Sequence, residues 1–106
     1  MAQFIIAACK PKSGMVAVLH ALVSKQHKVL RDESLITDCP RVVMQARDGA
    51  VVEVFEWQSP EAFERAHTSM SVQALWTELG KVCEYIPLAS IPECAGPFAY
   101  FESLTL

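Results

Sequence analysis

The stretch Val51-Val-Glu-Val-Phe-Glu-Trp-Gln-Ser-Pro-Glu-Ala-Phe-Glu-Arg-Ala-His67 forces a change from strand to helix on any fold of this chain. Val51, Val52, Val54, Phe55 and Trp57 favour a pleated, half-buried strand. Ser59 is a good helix N-cap. Pro60 suits the first helical position, where a missing N–H costs nothing. Glu61 follows in the first turn, where the helix dipole favours a negative charge. The junction also sends Glu53, Trp57 and His67 towards one region of the fold.

The rest of the chain supplies the other elements. Residues 3–9 are short, apolar and nearly continuous, as in a central strand covered on both faces. Met15, Val18, Leu19, Leu22, Val23, Gln26 and Leu30 then recur at helical spacing, which predicts a long amphipathic helix. Its other side carries His20, Ser24, His27 and Arg31, read as a solvated face. A second strand is expected over 35–47, with Pro40 at a bulge or edge. Asp48-Gly49 is a tight two-residue hairpin signal, and the third strand starts at once after it. Helix is expected from Pro60 to Cys83, broken near Thr68–Ser71, where hydroxyl residues invite a fresh cap. Its buried stripe is read as Phe63, Ala66, Met70, Val72, Leu75, Trp76, Leu79 and Val82. An edge strand over 84–91, limited by Pro87 and Pro92, and a short last strand over 97–104 complete the list.

The order β-α-β-β-α-β plus a C-terminal strand predicts an α+β fold. It is a ferredoxin-like split βαβ, with helices on one face of a four-stranded antiparallel sheet. With 106 residues, the chain has room for one domain, 1–106. The first and third strands carry apolar side chains in both phases, so the second sheet face must be covered too. Apolar residues make up 52% of the chain and charged ones 20%, which is rich for a small monomer. The expected cover is the sheet of a second copy, making a homodimer.

Charge and composition exclude several classes. The net charge is −3, and the basic residues are scattered, so no nucleic acid is expected as a partner. Apolar runs fall short of a membrane span, and the N-terminus lacks the features of a signal peptide. No membrane association is therefore expected, and a cytoplasmic location is. Cys9, Cys39, Cys83 and Cys94 form no C-x-x-C pair and read as reduced thiols. No Cys or His residues stand at zinc-ligand spacing, so no metal is expected. Nucleophile elbows, phosphate loops and H-E-x-x-H are absent.

The hairpin Arg47-Asp-Gly49, the strand Val-Glu-Val-Phe-Glu-Trp57, the helix start Ser-Pro-Glu-Ala-Phe-x-x-x-His67 and the helix with Val72-x-x-x-Trp76 together resemble the antibiotic biosynthesis monooxygenase family, within the dimeric α/β-barrel superfamily. The resemblance implies a homodimer whose two sheets pack into a barrel. It also implies a ligand pocket between sheet and helices, and a C-terminal strand that crosses to the partner. The activity implied is that of a cofactor-independent monooxygenase acting on a small aromatic or quinol. The other reading is a non-catalytic homodimer that binds a small apolar or aromatic molecule. The haem-degrading branch needs an Asn–Trp–His set, and this chain contains no Asn.

Two residues stand out as candidate catalysts. His67 follows the buried stripe and suits proton transfer to a phenol or quinol oxygen; the alternative is a helix-end residue bonding a carbonyl. Glu53 shares a strand face with Val51, Phe55 and Trp57, where a carboxylate needs a partner or a raised pKa. Arg41 and Arg47 are its possible partners; the alternative is a solvated or intersubunit residue. Trp57, Trp76, Phe55 and Arg47 are the candidate substrate-binding residues, with core packing as the plain alternative for the aromatics. Tyr85, Tyr100 and Phe101 read as interface anchors. No cofactor is called for.

Overall fold

The computed structural model describes residues 1–106. The elements run β1 (Gln3–Pro11), α1 (Val16–Asp32), β2 (Val42–Gln45), β3 (Val51–Trp57), α2 (Pro60–Thr68), α3 (Met70–Val82), β4 (Cys83–Ile86) and β5 (Glu102–Ser103). One sheet holds them in the order β4-β1-β3-β2-β5, with every pair antiparallel. The sheet therefore has five strands, where four were expected from the sequence. The extra one is the last strand, of which only Glu102–Ser103 pairs, and it does so along β2 of its own chain.

Local chemistry explains the element ends. Ser59 accepts a hydrogen bond from the Ala62 N–H at 3.2 Å, and Pro60 opens α2. Ser69 ends α2 and caps α3, accepting from the Val72 N–H at 3.3 Å. One serine thus makes the break that the hydroxyl run announces. Beyond the end of α1, Leu35 N–H donates to the Leu30 carbonyl and Ser34 N–H to that of Arg31. This is a Schellman ending, with Ser34 in the left-handed region at φ 57°.

Several bounds differ from expectation. The hairpin loop has three residues, Arg47 to Gly49, closed by Ala46 and Ala50. Gly49 takes φ 92° there, the backbone of a turn that ends in a bulge. The second strand is cut to Val42–Gln45; upstream, Ile36 makes one bridge to Trp57. β4 stops at Ile86, because Pro87 and Pro92 lead into two 3₁₀ turns, Leu88–Ser90 and Pro92–Ala95. Phe63 and Met70 are exposed rather than buried; Ala66 is buried as expected, and Ala62 joins it in burying α2.

The helices cover one face of the sheet. Leu19, Val23, Leu75 and Leu79 pack there on Cys9, Val43 and Val51, while Leu30, Phe55, Trp57 and Val72 form the neighbouring part of the core. The outer face is covered over one half only. Ile91 seals Ala8 and Val52, with Leu88 and Phe101 packed alongside. On the other half, Ile6, Val54 and Val42 lie in one row across three strands. Phe4, Ile6 and Val42 are 61%, 51% and 49% exposed. No helix is long and apolar enough to cross a membrane.

Candidate functional site

A cavity of about 410 Å³ opens between the helical layer and the sheet. Ile5 and Ala7 of β1 with Phe55 and Trp57 of β3 form its floor. Gln26 and Leu30 of α1, Trp76 and Gly80 of α3 and Tyr85 of β4 make the walls. Period-two alternation puts Phe55 and Trp57 on one face, and the break at Ser69 sets α3 so that Trp76 reaches it. The lining is apolar apart from the Gln26 amide and the Tyr85 phenol, which suits a flat, largely apolar molecule.

Glu53 lies on the same face of β3, opposite Ala7, which lines the cavity. It is 2% exposed. Gln26 Nε2 donates to both its oxygens, to Oε1 at 3.2 Å and Oε2 at 3.4 Å. Arg41 Nη1 stands 3.8 Å from Oε2. The same guanidinium donates to the carbonyls of Val23 at 3.3 Å and Leu106 at 2.8 Å. Burial pushes the Glu53 carboxyl up to about 7, against the opposing pull of Arg41 and Gln26. Of the two arginines considered as partners, Arg41 takes the place. Arg47 lies at the hairpin, beside a separate polar depression shared with Glu93 and Tyr100, and its N–H donates to Glu93 Oε2 at 2.7 Å. It is not part of the apolar cavity, because the hairpin loop carries it past the end of the sheet.

His67 is exposed and does not line the cavity. Its ring meets Phe63 edge-on at 4.5 Å and Trp76 at 5.2 Å, backing the aromatic wall from the solvent side. Trp57 continues the array to Phe55 at 5.3 Å and Phe63 at 5.7 Å. The helix turn that buries Ala62 and Ala66 points residue 67 away from the sheet, so Glu53 and His67 form no acid–base pair across one cavity.

Of the cavity residues outside the sequence reading of the site, two carry polar groups, Gln26 and Tyr85. Gln26 was visible only as a polar residue in the apolar stripe of α1, and that misfit was the available signal. Tyr85 offered none, since a strand aromatic reads equally as an interface residue. Burial raises the Tyr85 phenol, with Cys9, Glu53 and Cys83 adding to the effect. Burial likewise raises the thiols of Cys9 and Cys83. All four cysteines are free, and no set of three or more His, Cys, Asp and Glu residues gathers as a metal site. His20 and His27, read as solvated, are half-buried; burial lowers the His27 pKa, and the nearby Arg41 and Arg31 add to the effect.

No known family profile and no curated protein matches the sequence. Among solved structures, the chain is similar to SnoaB, a cofactor-independent oxygenase from Streptomyces nogalater. The TM-score is 0.66 at 15% identity, over 80% of this chain and 85% of that one. The two chains share a fold. At that identity the likeness carries the architecture, and the residues around the cavity must be judged by their own chemistry.

Proposed function

We propose that this protein binds a small, flat aromatic hydroxy compound or anthrone in the cavity and oxygenates it without a cofactor, with Glu53 as the base. The observation that carries this reading is a buried carboxyl, held to about 7, one side chain behind an apolar cavity. A base in that range is unprotonated often enough to accept a proton and basic enough to remove one from an acidic C–H or phenol. Rotation of the Gln26 side chain brings ligand and carboxylate into contact. Removing the proton leaves an electron-rich anion that reacts with dioxygen directly. For an anthrone, the CH₂ group and O₂ give a carbonyl and water. The fold shared with a cofactor-independent oxygenase supports the reading. His67, outside the cavity, supports the Trp76 wall.

A second reading keeps the cavity and drops the chemistry: a non-catalytic binder of the same kind of molecule. It is favoured by the absence of any charged residue from the cavity lining. In either case we propose a homodimer, joined through the open half of the outer sheet face. Oxygen uptake with a panel of quinols and anthrones separates the two readings. The oxygenase shows uptake that rises with pH through about 7, as Glu53 loses its proton, and Glu53→Gln abolishes it. Binding without uptake by any member of the panel establishes the binder.

A further inference from the structure

The Gln26 amide faces two ways. A carboxylate has only acceptor atoms, so the amide end turned to Glu53 must be nitrogen. Its Nε2 donates to both carboxylate oxygens. The amide oxygen receives no hydrogen bond from the protein. Yet the polar side-chain atoms sealed without a partner are His20 Nε2 and Glu93 Oε1, and Gln26 Oε1 is not one of them. Gln26 is 4% exposed and lines the cavity, so its oxygen opens there. With Glu53 ionised, the amide therefore offers a ligand an acceptor.

Protonation reverses this arrangement. A neutral carboxyl carries an O–H that seeks an acceptor. The terminal torsion of glutamine is soft and roughly two-fold, so the amide turns over within the same volume. Its oxygen then accepts from the Glu53 hydroxyl, and its nitrogen points into the cavity. We infer that Gln26 sets the hydrogen-bonding polarity of the cavity, presenting an acceptor to the ligand while Glu53 is ionised and a donor once Glu53 is protonated. This rests on the reading of the cavity as a ligand site. It does not require that any reaction occur there. Under the oxygenase reading, a hydroxylic substrate donates to Oε1 while Glu53 is ionised and ready to act as the base.

The groups around Glu53 leave it as the titrating member. From the segment before β2, Arg41 stays charged: burial lowers it and Glu53 raises it, from a very basic starting point. From β1 and β4, Cys9, Cys83 and Tyr85 are pushed up and stay neutral. From α1, His27 is pushed down by burial, then by Arg41 and Arg31. His27 is thus the group to control for.

The test uses two naphthalene probes, 1-naphthol as donor and 1-acetylnaphthalene as acceptor, titrated into the full chain from about pH 5.5 to about pH 8, a span that brackets Glu53, leaves the ketone neutral and keeps the naphthol almost wholly so. Across that span naphthol affinity rises and ketone affinity falls, each by about tenfold, the worth of one good hydrogen bond. Glu53→Gln makes both affinities independent of pH. Gln26→Leu, which keeps the carboxyl, removes the opposition between the probes, and His27→Gln preserves it. By linkage, bound naphthol lowers the Glu53 titration midpoint and bound ketone raises it, read by carboxyl carbon NMR. Parallel or flat pH trends for the two probes overturn the inference while leaving the cavity as a binding site. So does opposition that survives Gln26→Leu or vanishes in His27→Gln. Failure of both probes to bind at any pH overturns the inference and the ligand-site reading together; absence of oxygen uptake bears on the oxygenase reading alone.

Discussion

Glu53 is where burial, charge and hydrogen bonding are least easily reconciled. A carboxyl 2% exposed cannot hold full charge cheaply, and one amide with one guanidinium at 3.8 Å compensates only in part. Its pKa therefore stands at about 7 in the fold, above the ordinary ~4.3 of an unfolded chain. Folding takes up a proton at this site between those two values. The stabilisation is full below the unfolded value and is lost as pH rises through the folded one, a change on the order of 3 kcal/mol. Glu53→Gln removes the titration. Urea unfolding of both proteins across this window will show wild type losing that much stability relative to the variant as pH rises. A constant difference between them would mean that Glu53 titrates as an exposed carboxyl does.

Among the elements, the helix ends carry the most local information. α2 and α3 meet at Ser69, which serves as the end of one helix and the cap of the next, and this joint sets the direction in which Trp76 projects. The end of α1 is less well matched to its geometry. Ser34 occupies the left-handed position of a Schellman ending at φ 57°, where a Cβ crowds the following carbonyl and glycine is at ease. Ser34→Gly should therefore stabilise the protein by about 0.5–1 kcal/mol, net of the greater freedom glycine has when unfolded. The urea midpoint should rise with an unchanged slope. A lower midpoint would show that the Ser34 side chain contributes more than its backbone costs.

The whole molecule has one finished layer and one half-finished one. Helices bury the inner face of the sheet, while the row of Ile6, Val54 and Val42 and the nearby Phe4 stay open. Phe98 and Tyr100 add exposed aromatic surface in the segment leading to β5. Contiguous apolar area of this kind favours association. Sedimentation equilibrium is expected to give a dimer at micromolar concentration, and Ile6→Asp a monomer that keeps its helical circular dichroism. A wild-type monomer under those conditions would show that the open face does not pair copies of this chain.

The α+β order, the amphipathic α1, the hairpin, the capped start of α2 and the break before α3 were all legible in the sequence. Each depends on interactions between near neighbours: side-chain periodicity, a hydroxyl three residues from the N–H it caps, a glycine in a turn. The shared face of Glu53, Phe55 and Trp57 was legible for the same reason, and so was the need of Glu53 for a partner. Tertiary structure decided which partner it found. Arg41 and Arg47 lie in phase along one strand direction, but only Arg41 reaches Glu53, because the chain turns out of the sheet before Arg47. The helix period could not say that Ala62, rather than Phe63, would join Ala66 in burying α2 and leave His67 outside. Nor could it say that Gln26, an apparent misfit in an apolar stripe, would meet a carboxylate 27 residues further along the chain. Local rules act through neighbours in sequence; a cavity is defined by side chains that meet only after the helices have packed on the sheet.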